Sequence, residues 1–244
     1  DHGFEVDLLE QSDQLGGNLN WLKRTLDGNY ADELLKKTVE FVQKHPKIVI
    51  HTQSVVIDSS GEVGNFHTDI KGPQDQVHTL RHGVTILATG GTEAPTQSYS
   101  YGTNPALITQ MELELRLSDN TIEPEKLNSV VMIQCVDSRE EPRNYCSRVC
   151  CANALKHALF LKEKNPGISI YILYRDLIVY GFSETYYTKA REAGIIFIQY
   201  RTDDKPFVQI ENDKIEVSVF EAILGKRLQI EADLVVLATG IVPN

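Results

Sequence analysis

The tripeptide Ala-Thr-Gly occurs twice, at Ala88-Thr89-Gly90 and at Ala238-Thr239-Gly240, and each copy closes the same series of expected elements. That series runs strand, helix, strand, β excursion and closing strand. Strand–helix–strand alternation implies a parallel sheet with ligands at the carboxyl ends of the strands. The expected fold class is therefore α/β, with two interleaved Rossmann-like units and β-meander excursions.

The first unit is expected over 1–91. A strand over 4–10 ends in Glu10, and the pair Gly16-Gly17 follows a polar loop. Leu35, Val39 and Val42 stand at helical spacing within 31–43, and Pro46 stops that helix. Strands are expected over 48–53, 55–58, 64–70 and 76–80. Turns fall at Ser59-Ser60-Gly61 and Lys71-Gly72-Pro73, and a closing strand covers 83–88. Residues 92–126 form a connector with a helix over 105–117, Pro105 in its first turn. The second unit, 127–235, has strands over 129–134, 168–174 and 195–200. Its helices cover 152–164 and a stretch from a Ser183 cap to near Gly194. A hairpin over 207–210 and 214–219 turns at Asn212-Asp213, and a strand covers 233–238. Residues 236–244 return to the first unit. The chain starts at Asp1, inside a connection, and reads as a piece cut at both ends.

Composition narrows the function classes. A net charge of −10 without any Lys/Arg run argues against nucleic acid or an anionic membrane surface as partner. No apolar run approaches the ~18 residues of a membrane span. With 244 residues and 41% hydrophobic content, the chain can build its core without disulfide staples.

All four cysteines lie between Cys135 and Cys151 in a C-x10-C-x3-C-C pattern. Cys135 ends an expected strand, while Cys150 and Cys151 open an expected helix. In an ordinary nucleotide-binding unit this junction carries G-x-G-x-x-G over a pyrophosphate. Here the glycines are absent and the turn is longer. The helix start still offers free N–H groups and a positive dipole end, which favours thiolates and lowers thiol pKa values. Four thiolates suit a [4Fe–4S] cluster. Structural zinc also takes four, usually as paired C-x2-4-C knuckles, and a redox dithiol needs two. Buried, inert thiols are the bland alternative.

Other residues carry weaker signals. Glu10 suits a ribose diol, or is a solvent-facing acid at a strand end. Lys156 reads most simply as a solvated lysine. Arg139, Arg143 and Arg148 crowd the cysteine loop, and at least two are expected to face water. Asp176 occupies the place of a second ribose acid, although without the glycines a nicotinamide role is disfavoured. Trp21 and Tyr30 either cover a ring or pack.

Gly16-Gly17-Asn18-Leu19, Gly64-Asn65-Phe66, Tyr101-Gly102, the Ala-Thr-Gly-Gly at 88–91 and above all Tyr145-Cys-Ser-Arg-Val-Cys-Cys151 resemble the heterodisulfide reductase A-subunit family. The resemblance implies a thioredoxin-reductase-like, FAD/NAD(P)-binding fold. It implies FAD bound by Glu10, Gly16, Gly17, Asn18, Val56, Ala88, Thr89, Gly90, Gly91, Thr239 and Gly240. It implies a [4Fe–4S] cluster on Cys135, Cys146, Cys150 and Cys151, with Lys156 approaching the isoalloxazine ring. Partners would be the other subunits of a heterodisulfide reductase-like complex, including hydrogenase- or dehydrogenase-type electron donors. Asp137 departs from the family's glycine, and no cysteine follows Gly17. Two rival functions stay open: an NAD(P)H-linked flavoprotein disulfide reductase using a pair such as Cys146 and Cys150, and a zinc-held assembly module.

Overall fold

The computed structural model describes residues 2–212 and 214–244. The chain forms two compact units, one of residues 1–20, 30–90 and 244, the other of residues 21–29 and 91–243.

In the first unit, β1 (Val6–Leu9) and α1 (Ala31–Lys44) lead to β2 (Ile48–His51), which pairs parallel with β1, Val6 opposite Ile48. Leu35, Val39 and Val42 form the half-buried stripe of α1, as their spacing predicts. The helix ends two residues before Pro46, because a residue preceding proline is pushed out of the helical region. Next comes an antiparallel meander of β3 (Val55–Glu62), β4 (Asn65–Lys71) and β5 (Val77–His82).

Two expectations fail in this unit. Ser59-Ser60-Gly61 lies inside β3, and the hairpin turns at Val63-Gly64 instead. Gly61 serves close approach: a Cβ there would sit 2.3 Å from the Asn65 carbonyl oxygen. Residues 83–88 form no strand and join no ladder among the described residues. Their apolar side chains, Ile86 at 85% exposure among them, have no sheet neighbour to pack on.

The second unit begins with the short strands β6 (Gly91–Glu93) and β7 (Leu107–Thr109), then α2 (Gln110–Ser118) and β8 (Ser129–Ile133). It continues through α3 (Cys150–Lys164), β9 (Ser169–Tyr174), α4 (Glu184–Glu192) and β10 (Ile196–Gln199). A second meander, β11 (Phe207–Glu211), β12 (Lys214–Glu221) and β13 (Lys226–Ala232), precedes β14 (Leu234–Leu237) and β15 (Ile241–Pro243). The main sheet is wholly parallel, in the order β10-β9-β8-β14-β7.

Both faces of this sheet are covered, which is why its strands read as unbroken apolar runs. Val130, Met132, Ile170, Ile172 and Val236 pack against Leu113 of α2, Ala154, Leu155 and Leu161 of α3, and Ala190 of α4. On the other face Val131, Ile133, Leu173, Val235 and Leu237 pack against Ile215, Val217 and Val219 of β12 and Ile230 of β13. Each large aliphatic side chain buried this way contributes roughly 1.5–3 kcal/mol. Strand order reverses between β8 and β14, so a topological switch point lies at their carboxyl ends.

The helix expected from Pro105 starts later. Leu107–Thr109 is a strand paired with β14, and α2 opens with a capping box. Thr109 Oγ1 accepts the Glu112 amide at 3.2 Å, while Glu112 Oε2 accepts the Thr109 amide at 2.8 Å. Helix α3 begins at Cys150, so the cysteine pair opens it. Ser183 immediately precedes α4, but its side chain makes no cap bond. Of the expected hairpin turn, Asn212 has φ 49°, and Asp213 lies outside the described residues. No helix among the described residues is long and apolar enough to cross a membrane.

Candidate functional site: a cysteine loop at the switch point

The chain leaves β8 through Gln134, which is fully buried. Its amide donates to Leu173 O at 2.8 Å, and its carbonyl accepts the Tyr200 hydroxyl at 2.5 Å. Both polar atoms of its side chain lack a hydrogen-bond partner. Cys135 follows with φ 58°, and Asp137, Arg139 and Arg148 also have positive φ. Such residues cost of order 1–3 kcal/mol each and persist where the surroundings over-determine them.

Here the surroundings do so. Thr96 Oγ1 and Ser98 Oγ donate to the two oxygens of Asp137 at 2.5 and 2.6 Å, which holds this residue at its φ of 49°. Arg175 donates to the carbonyls of Ser138 and Arg139, both at 3.1 Å. Arg139 is ion-paired with Asp176 at 2.6 Å, and its Nη1 is buried without a partner. Arg143 donates to Thr239 O at 2.7 Å. Of the three loop arginines only Arg148 is exposed, which corrects the expectation that two face water.

The four cysteines are free thiols; Cys151 is buried and the others half-buried. Arg148 donates its amide to Cys146 Sγ at 3.4 Å, and the Cys151 thiol lies 3.8 Å from Asp176 O. Burial pushes the Cys135 thiol up, with the neighbouring Arg139 and Arg175 working against it. Burial, then the repulsion of the other three thiols, pushes Cys150 up to about 12. Burial also takes Cys151 up to about 11, opposed by the Ile178 amide and reinforced by Cys135 and Cys146. The expected lowering at the helix start is overridden, because desolvation of a thiolate outweighs the dipole. Among the described residues, no three His, Cys, Asp or Glu side chains converge on one ion-sized point.

The second Ala-Thr-Gly lies against this loop. Val136 N donates to Ala238 O at 3.0 Å. Ile241 N donates to Ser147 Oγ at 2.8 Å, and the Tyr145 hydroxyl donates to Ile241 O at 3.0 Å. Thr239 is 1% exposed, with its hydroxyl unpartnered. Gly240 has φ +86°, and a Cβ there would meet Ser147 Oγ at 2.7 Å. Beside the loop, an open cleft of 590 Å³ is lined by Arg139, Arg175, Asp176, Tyr200 and Arg201. Asp176, the residue at the ribose-acid position, is engaged by Arg139 there.

Lys156 is not a solvated lysine. Its side chain is 7% exposed, 2.8 Å from Glu114 Oε2, and its Nζ donates to Arg24 O at 3.1 Å. His157 Nε2 lies 2.5 Å from the same Glu114 oxygen. Glu114 Oε1 accepts the amides of Lys23 and Arg24 at 2.8 and 3.1 Å. Burial would raise Glu114, but the bonds and charges of His157 and Lys156 prevail and hold its carboxyl at about 2. Burial lowers both Lys156 and His157, partly offset by Glu114. Sequence reasoning missed Glu114, His157, Gln134 and Ser147. For Gln134 a signal existed, since a polar residue directly continued the apolar run of β8.

The remaining predicted cofactor residues of the second unit and those of the first are placed as follows. Gly91 is buried in β6, where a Cβ would lie 2.5 Å from Val242 O. Glu10 follows β1, its carboxylate accepting the Ser12 amide and hydroxyl at 2.9 and 2.8 Å. Gly16 has φ +123°, and Gly17 and Asn18 begin a short 3-10 turn. Val56 is exposed on β3. Ala88, Thr89 and Gly90 are exposed, and Thr89 O accepts from Asn244 Nδ2 at 2.8 Å.

No family model matches the chain. The chain is similar to thioredoxin reductase of T. acidophilum, with TM-score 0.60 and 16% identity over 99% of this chain and 71% of that one. Lactococcus lactis thioredoxin reductase gives TM-score 0.58 and 17% identity over 98% and 71%. The fold is thus thioredoxin-reductase-like. In sequence, the iron-sulfur A-subunit of CoB--CoM heterodisulfide reductase from Methanocaldococcus jannaschii is 36% identical over 184 residues, 68% of this chain and 27% of the relative. The A-subunit of the ferredoxin/F(420)H(2)-dependent CoB-CoM heterodisulfide reductase from Methanosarcina acetivorans is 28% identical, covering 99% of this chain and 42% of the relative. The chain therefore spans less than half the length of these two relatives. With 36% identity to the Methanocaldococcus jannaschii A-subunit over 68% of its own length, the chain belongs to the heterodisulfide reductase A-subunit family.

Proposed function

We propose that this chain is the flavin- and iron–sulfur-bearing part of an electron-transfer oxidoreductase subunit, working within a heterodisulfide reductase-like complex. The observation that carries the reading is the set of four cysteines at the switch point, beside buried polar atoms with no protein partner. Gln134 Nε2 and Arg139 Nη1 are N–H donors of that kind, and Thr239 supplies an unpartnered hydroxyl. Buried donors left alone cost roughly 1–3 kcal/mol each, so they mark a place where an anionic group completes the structure. Thiolate-bound cluster sulfur is such a group. The donor set thus fits a [4Fe–4S] cluster held by Cys135, Cys146, Cys150 and Cys151.

FAD would be held by Glu10, Gly16, Gly17, Asn18, Val56, the first Ala-Thr-Gly with Gly91, and Thr239 with Gly240. A neighbour of the same fold, DfoA, is described as bound to FAD. Bound flavin supplies paired-electron chemistry and a bound cluster single-electron chemistry. The protein's own part is to bind, space and tune. Arg139, steadied by Asp176, sets positive charge beside Cys135; Gln134 and the Arg148 amide offer hydrogen bonds to sulfur. Lys156 is the cationic residue assigned to the flavin side, and Glu114 restrains it. The domain reading that accompanies this is a flavin-binding unit of 1–91 with 236–244, and a cysteine-bearing unit over 127–235.

Anaerobic purification of the full-length protein, with iron, sulfide and flavin quantified, tests the reading. Four irons and one FAD per chain are expected, with an EPR signal after dithionite reduction. Zinc without iron, or a colourless protein after reconstitution, would sink it.

A further inference from the structure

We infer that the cysteine loop clamps the second Ala-Thr-Gly turn, so that cluster binding and FAD binding reinforce each other. The inference rests on the assignment of Thr239 and Gly240 to FAD and of the cysteines to a cluster. What carries it is the number of bonds on so short a stretch. Residues 238–241 are held at four backbone atoms: Ala238 O by the Val136 amide, Thr239 O by Arg143, Ile241 N by Ser147 and Ile241 O by Tyr145. All four holding residues lie between Cys135 and Cys150, and Ser147 adjoins Cys146 directly. The fit is close as well as bonded, since Gly240 leaves no room for a Cβ beside Ser147 Oγ.

Loop and turn therefore order one another. The loop needs fixed ends, because four of its residues hold positive φ without being glycine: Cys135, Asp137, Arg139 and Arg148. A cluster that ties Cys135, Cys146, Cys150 and Cys151 together fixes those ends. With the loop fixed, the turn that meets FAD is already in place, and the ordering cost is not charged again to flavin binding. Linkage makes the effect reciprocal: FAD must stabilise the cluster by the same factor.

The test measures FAD dissociation constants for the full-length protein under anaerobic conditions, with iron determined in each sample. Cluster-bearing wild type is compared with chelator-stripped wild type and with Ser147→Ala and Arg143→Met. Stripping is expected to weaken FAD binding by about tenfold, within the usual range of site-to-site coupling. Each variant, with its iron retained, is expected to bind FAD several-fold more weakly. Stripping a variant is expected to add little, because the clamp is already released. Tyr145→Phe, which removes one hydroxyl, gives the same comparison should the other variants fail to fold. Equal FAD affinity in loaded and stripped wild type overturns the clamp while leaving both cofactors assigned. Full additivity of stripping and mutation overturns it too. Iron-free wild type overturns the cofactor assignment and the clamp with it.

Discussion

Glu114 shows how one side chain can organise a region that sequence patterning hides. Its two oxygens receive two backbone amides, one ammonium and one imidazole, all within the second unit. Breaking a buried pair leaves the surviving charge uncompensated, so Glu114→Ala should cost about 3–5 kcal/mol, read as a lower urea midpoint. The pH dependence has a definite sign. The folded carboxyl is held at about 2 against 4.5, so the unfolded chain binds the extra proton in between. Its contribution is complete above 4.5 and is lost as pH falls through about 2. His157 acts in the same sense, since burial depresses it below 6.5 and the unfolded chain protonates first. Glu114→Gln should lose less stability than the unmodified protein as pH falls from 4.5 to about 2, read from urea midpoints across that range. In the sequence, Glu114 is one of two glutamates among alternating leucines in α2 and reads as a surface acid. The cysteines were legible because their residue type and crowding are chemically rare. Glu114 was not, because its role depends on residues 42 and 43 positions later.

Elements were legible where local pattern and final environment agree. The stripe of α1 and the apolar runs of β8 and β9 met the neighbours their periodicity called for. Leu107–Thr109 went the other way: three residues carry little periodic signal, and pairing with β14 decided their state. β13 was overlooked although Leu228 and Ile230 alternate with polar residues, the period-two mark of a half-covered strand. At the β14–β15 junction, Gly240→Ala meets both a left-handed backbone and the Ser147 hydroxyl. The backbone alone costs roughly 1–2 kcal/mol, so a melting temperature lowered by several degrees is expected.

At the scale of the molecule, the two units are interleaved in sequence. Residues 21–29 sit between β1 and α1 of the first unit yet cluster with the second. There Leu26 joins the helical side of the core, and the Arg24 guanidinium stacks 4.2 Å over Phe160. A chain trimmed to 91–243 would leave Glu114 short of two amides and Lys156 short of a carbonyl. Each such group costs roughly 1–3 kcal/mol. The trimmed chain should therefore melt well below the intact one, and adding a peptide of residues 21–29 should restore part of the difference in a thermal scan. The arrangement also bears on biosynthesis. Lys23 leaves the ribosome 91 residues ahead of Glu114, and Arg24 leaves 132 ahead of Lys156. The loop must wait through that interval with its partners unmade, so an early segment closes onto late ones only after they have been synthesised.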